Sequence, residues 1–213
     1  MPTNRGILEE QGFNRFNRRE DYSEPVIQDI PLSATNQVIP DSALDANKVI
    51  INALSLIQET ELQAAASTAI ASNFINKKFI RITFFIAGFS DTDYPKVTFN
   101  SDTGNNYSWD LTVTENGTPQ YTDAQNTSAI NVGSTNSQSS TYPQYIVLDI
   151  ENLPNRWKIV SVTGASAGGG TSSATLNGSG MWKNTAVPIT TVTFAGLNGK
   201  NFLAGSNLRV FGL

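Results

Sequence analysis

The chain contains no cysteine and no histidine. The first absence removes disulfides, thiolate metal sites and cysteine nucleophiles. The second removes the commonest general base and the commonest transition-metal ligand, so neither a Ser-His-Asp triad nor a histidine-bound zinc can be built from this chain. Charge is scarce too: 15% of residues are Asp, Glu, Lys or Arg, against roughly a quarter in ordinary soluble domains. Its 14 basic residues are outnumbered by 18 acidic ones, for a formal net charge of −4. No cationic excess exists to neutralise nucleic-acid phosphates or to hold an anionic membrane. No apolar run reaches membrane-spanning length, and Met1-Pro2-Thr3-Asn4-Arg5 lacks the apolar core of a signal peptide, so synthesis in a cytoplasm is the expectation.

What is present is a 213-residue chain, 39% hydrophobic, with a polar remainder rich in Asn, Thr, Ser and Gly. That length fits one sizeable domain with appendages, or two small ones. Residues 1–41 hold little that could pack a core. Phe13, Phe16 and Tyr22 are isolated aromatics among charges of both signs, and Pro25, Pro31 and Pro40 punctuate the short apolar pieces Val26-Ile27, Ile30, Leu32 and Val38-Ile39. Proline fixes its own φ and pushes its predecessor to extended geometry, so this reads as an extended anchoring arm with side chains spaced for a partner's grooves. Residues 42–76 carry a helical signal. Asp41 or Ser42 can cap it, and Ala46, Ile50, Ala53 and Ile57 recur at helical spacing beside Ile51, Leu54 and Leu62. Either the helix covers its own domain, or Ile50, Leu54 and Ile57 face an oligomer axis.

From Lys77 the period changes to two. Ile80, Ile82, Phe84 and Ile86 alternate with Phe79, Arg81, Thr83 and Phe85; Tyr107, Trp109, Leu111 and Val113 alternate with Ser108, Asp110, Thr112 and Thr114. Ile146, Leu148 and Ile150 oppose Val147, Asp149 and Glu151, and Leu208 to Phe211 makes a last strand. Asn116-Gly117, Asn177-Gly178 and Asn198-Gly199 are turn dipeptides, and 102–106 is another tight turn. The stretches 122–141 and 165–173 read as loops. Many short strands with such turns predict a mainly β chain: an antiparallel β-sandwich over 77–213, jelly-roll-like, preceded by an extended arm and a short α-helix.

Candidate chemistry is thin. Asp149 and Glu151 share a strand face, the arrangement a carboxylate glycosidase would need, yet acids two apart on an exposed strand are ordinarily a solvated face. Asp91, Asp93 and Asp102 offer hard oxygens for calcium, but acids in β loops more often make Asx turns. No catalytic residue, metal site or cofactor motif is assigned, and the chain is expected not to be an enzyme. Among the aromatics Trp109, Trp157, Trp182 and Tyr107, Trp109 lies on an apolar strand face and reads as core. Tyr121, Tyr142 and Tyr145, flanking the polar stretch, are the better candidates for a glycan or partner surface.

Gly180-Met181-Trp182 and the strand Ile189 to Phe194 lead to Asn201-Phe202-Leu203-Ala204-Gly205-Ser206 and the closing Leu208-Arg209-Val210-Phe211-Gly212-Leu213. This resembles the closing pattern of a loose group of tailed-bacteriophage virion proteins, and Phe99 to Tyr107 resembles their earlier strand-turn-strand. The resemblance covers 79–213 patchily and does not reach the arm. It implies a jelly-roll-like decoration, fibre or baseplate component, commonly trimeric, residing in the virion after synthesis in the host cytoplasm. Its partners would be other virion proteins and, for a fibre, a host surface glycan. A free lectin module is the competing class.

Overall fold

The computed structural model describes residues 54–133, 142–167 and 173–213. The proposed arm residues Phe13, Phe16, Tyr22, Val26, Ile27 and Ile30 lie outside these, as does Ile50. The compact β unit comprises Asn52–Leu213. Its described part holds twelve strands: β1 (Ser55–Glu61), β2 (Thr68–Ser72), β3 (Phe79–Ile86), β4 (Pro95–Phe99), β5 (Tyr107–Glu115), β6 (Thr118–Thr127), β7 (Ile130–Asn131), β8 (Gln144–Glu151), β9 (Lys158–Ala167), β10 (Ser173–Trp182), β11 (Thr191–Gly196) and β12 (Asn207–Gly212).

These form two antiparallel sheets. The larger has the order β1-β12-β3-β8-β9-β10-β5-β6, the smaller β2-β11-β4-β7. The chain repeatedly crosses between them, and the hairpins β5–β6 and β9–β10 widen only the larger sheet. Ile80, Ile82, Phe84, Ile146, Leu148, Ile150, Leu208 and Val210 from the larger sheet meet Ala69, Ala71, Val97, Phe99, Val192 and Phe194 from the smaller in one buried core. Phe84 joins the layers: its ring centroid lies 4.7 Å from that of Phe194 and 5.1 Å from that of Phe202. The alternation expected at 80–86, 107–113 and 146–150 sorts these residues correctly, because a strand turns successive side chains to opposite faces.

In the described part of the expected helical segment, 54–76, strands stand in place of the helix, and 42–53 lie outside the described residues. Within 42–76, the described stretch contains β1 and β2. Spacing of Ile57 from Ala53 suits a helix turn, but β12 offers β1 a row of backbone partners, and that tertiary pairing overrides a weak local preference. In the small-residue run, Ala69 and Ala71 are buried while Thr68, Ile70 and Ser72 face away, a period of two. Ser72 N–H donates to Gln58 Oε1 at 2.9 Å, tying the two strands at a corner.

Two turn assignments also change. Asn116-Gly117 does turn β5 into β6, with φ of 49° and 77°. Asn177-Gly178 instead lies inside β10. A Cβ on Gly178 would stand 2.2 Å from the Asp110 carbonyl oxygen, so this glycine serves close strand approach and not a turn. The polar stretch from Thr122 is not one loop: it contributes to β6 and β7, and 134–141 lie outside the described residues.

At the junction of β4, β5 and β10, Trp182 is fully buried, stacked on Tyr107 with centroids 6.4 Å apart and tilted against Phe99 at 5.8 Å. Its indole N–H donates to Asp102 Oδ2 at 2.7 Å. The buried Lys158 ammonium lies 5.8 Å over the same indole ring and donates to the carbonyls of Arg156 (2.8 Å) and Asn184 (3.2 Å). Buried Asn152 stitches the crossing segment, accepting from Ile189 N–H at 2.6 Å and donating to the Lys77 and Ile189 carbonyls at 3.0 Å.

Candidate functional site

The acidic groups singled out in the sequence are engaged in structure. Asp149 receives a bidentate pair from Arg81, Nε to Oδ1 at 2.7 Å and Nη2 to Oδ2 at 2.8 Å. That commitment leaves no free Asp149–Glu151 pair for glycoside hydrolysis. Asp93 is fully buried and accepts three backbone N–H groups, from Tyr94 (2.7 Å), Asn198 (2.8 Å) and Lys200 (2.8 Å), so it braces the Asn198-Gly199 turn. Asp91 pairs with Lys200 at 2.8 Å, and this bond, helped by the Thr92 N–H, holds its carboxyl below the usual value. Burial raises the Asp102 carboxyl, but donors from Trp182, Asn106 and Gly104 outweigh that and hold it below its ordinary value. Among the described residues no three acids are grouped to hold a metal.

The aromatics divide by face. Tyr107 and Trp182 are core, and Trp109 packs against it. Tyr121 is 78% exposed on β6 and Tyr145 is 46% exposed on β8. Register places both on the solvent face of the larger sheet, through the pairs Tyr121–Thr112, Thr112–Asn177, Asn177–Thr163 and Thr163–Val147. Four strand steps separate β6 from β8, about 19 Å at the usual strand spacing. Tyr142 is half-buried before β8. The three tyrosines therefore do not form one platform. Leu54 is exposed ahead of β1, while Ile57 packs against the unit's own core.

The same solvent face contains a groove of about 440 Å³ that the sequence did not reveal. Its apolar side includes Trp157, Ile159, Met181 and Trp109; its polar side includes Asp110, Asp123 and Gln125. Cross-strand register assembles it: Ile159 faces Met181, Met181 faces Ser108, and Ser108 faces Gln125, while Ser179, Asp110 and Asp123 form the adjacent row. Trp157 and Ile159 are 53% and 54% exposed, an unusual amount of apolar surface to leave in water side by side. Asp110 and Asp123 are directly opposite, which brings Cβ atoms to about 5 Å in such pairs. Among the described residues neither has an ion-pair partner.

A β-bulge shapes one end. Tyr107 pairs with Thr127 but Ser108 pairs with Gln125, so Asn126 is the extra residue, at φ 55°. Its side-chain oxygen receives the Lys183 ammonium at 2.6 Å, fixing a cation at the groove's rim. Bulges recur beside binding sites because they re-aim a side chain out of the regular pleat. The backbone of Lys183 is held in turn by N–H donation to Asn106 carbonyl at 2.8 Å.

The groove thus offers a flat apolar ring, acceptors, an amide and a positioned ammonium. Comparison with protein-family models finds no match, and neither do comparisons with curated proteins or solved structures.

Proposed function

We propose that the β unit is a non-enzymatic carbohydrate-binding head of a tailed-bacteriophage virion protein, a short tail fibre or baseplate component. The groove carried by Trp157 is the main support. A pyranose has an apolar C–H face and a rim of hydroxyls. An exposed indole suits the former, and carboxylates, amides and an ammonium at the edge suit the latter. The virion reading rests on the resemblance in the closing segment and on topology. The orders β1-β12-β3-β8 and β2-β11-β4-β7 suit a jelly roll, with β5–β6 and β9–β10 read as insertions. The residues of that closing pattern serve the fold: Trp182 in the core, the Gly205-Ser206 turn, and β12 between β1 and β3. In this reading residues 1–41 anchor the protein to other virion proteins, and the assembly is a homotrimer.

A glycan array probed with the full-length protein tests the binding claim. Trp157→Ala removes the exposed indole and is expected to lower affinity ten- to hundredfold, about 1.5–3 kcal/mol for an aromatic of which much is buried by ligand. The thermal midpoint should stay near that of the parent. Undiminished binding by that variant refutes the site. Particle imaging that places the protein on the shell refutes the tail assignment in favour of capsid decoration.

A further inference from the structure

Toward the other end of the larger sheet, the solvent face carries an aromatic pair. Phe85 on β3 and Tyr145 on β8 are directly opposite in register, 41% and 46% exposed. They border a separate groove of about 410 Å³, with Glu59, Asn207 and Arg209 along its polar side. Those three side chains are already locked together. Glu59 Oε1 accepts from Asn207 Nδ2 at 2.8 Å and from Arg209 Nε at 2.9 Å, bonds that hold the Glu59 carboxyl below its ordinary value. Gly205, at φ 84°, lines the groove, and a Cβ there would meet only the Ala87 methyl, 4.0 Å away. The rim is therefore open and its polar groups fixed before any ligand arrives, which reduces the ordering cost of binding.

We propose that the Phe85–Tyr145 groove is a second saccharide subsite, for an uncharged sugar unit of the same chain that enters the Trp157 groove. This rests on the carbohydrate-binding reading above. The ring pair supplies a stacking surface, and the Glu59–Asn207–Arg209 network supplies acceptors and donors for hydroxyls. Charge argues for a neutral sugar. Glu59 and Glu61 both line the groove and Arg209 is its one lining cation, already spent on Glu59, so an anionic sugar meets excess negative charge.

The surface between the two grooves is suited to carry a chain. Tyr145 faces Ala165, Val147 faces Thr163 and Asp149 faces Ser161, after which Thr175, Asn177 and Ser179 continue the rows on β10. Beyond Tyr145 these rows present hydroxyl, amide and carboxylate groups among small and medium-sized side chains. Tyr145 lies on β8 and Ile159 on the adjacent β9, so the grooves are offset mainly along the strands: Ala165, opposite Tyr145, is six residues from Ile159, about 20 Å at the usual strand rise. An oligosaccharide long enough to touch both gains affinity by making the second contact intramolecular.

The test is a titration of the ¹⁵N-labelled full chain with chitohexaose, using sialyllactose as the anionic contrast. Chitohexaose is expected to shift the Arg209 Nε–H and Asn207 side-chain amide signals together with the Trp157 indole N–H, and sialyllactose to leave the Arg209 signal unmoved. Phe85→Ser with Tyr145→Ser should abolish the Arg209 shift and weaken chitohexaose at least tenfold while the Trp157 shift persists. Shifts at Trp157 alone, or unchanged affinity in that variant, overturn the second subsite and leave the first standing. A shift at Arg209 alone supports this subsite and sinks the Trp157 site. No shift at either group counts against both. A sialyllactose shift at Arg209 overturns the neutral-sugar assignment.

Discussion

Replacing Asp102 and Trp182 singly and together should reveal one strong hydrogen bond at the junction of β4, β5 and β10. The indole N–H reaches Asp102 Oδ2 at 2.7 Å, a short bond to an ionised acceptor. Hydrogen bonds to charged groups contribute about 1.5–3 kcal/mol, and Asp102 remains partly in water, so a coupling energy near 1.5 kcal/mol is expected. The cycle uses Trp182→Phe, which keeps an aromatic ring, and Asp102→Ala, which also gives up bonds to Asn106 and the Gly104 N–H. Those extra losses appear in the single variant and cancel in the cycle. Urea denaturation followed by far-ultraviolet circular dichroism measures each stability without relying on the indole being removed. The pH dependence supplies a second check. The folded-state pKa of Asp102 is depressed below 3.8, so its contribution is fully present above that value and is lost as pH falls through the folded pKa. A coupling below about 0.5 kcal/mol at neutral pH, within the scatter of independent sites, would refute the argument. So would a coupling that survives in acid after the carboxylate is protonated.

Two further outcomes follow from packing and burial. Gly178→Ala should destabilise the protein by about 1–3 kcal/mol or more, because its Cβ would press on the Asp110 carbonyl and force β10 from β5; a melting midpoint equal to the parent's would contradict this. Burial lowers the Lys158 ammonium pKa below 10.5, so the unfolded chain binds the extra proton between the folded value and 10.5. Stability should therefore gain a component that rises with pH across that window and vanishes in Lys158→Met, measured by denaturation over a pH series.

Period-two patterning was enough to place Ile80 to Ile86 and Ile146 to Ile150 correctly, because each such strand buries one face on its own evidence of alternation. Ser55–Glu61 was harder: its partner β12 is about 150 residues away, and nothing local distinguishes an edge strand from one helical turn. Asn177-Gly178 has turn chemistry in isolation, and only the approach of Asp110 explains a glycine in mid-strand. The binding face was the least legible. Trp157, Met181 and Gln125 become neighbours through three strand pairings, whereas Tyr121 and Tyr145 bracket a polar stretch in sequence and lie far apart across the sheet. Exposure of Trp157 beside Ile159 was the one local hint, since the intervening Lys158 turns inward under Trp182.

β12 follows the other eleven described strands in sequence and occupies a place between β1 and β3, near one end of the larger sheet. During synthesis, β1 therefore waits for more than a hundred residues with one edge lacking its partner, as does β3 on that side. The layer closes only once Asn207–Gly212 has left the ribosome, so this high-contact-order assembly keeps two strand edges open until then. A nascent chain stalled before Asn207 would present two open strand edges, and ribosomal pausing there would favour aggregation over folding.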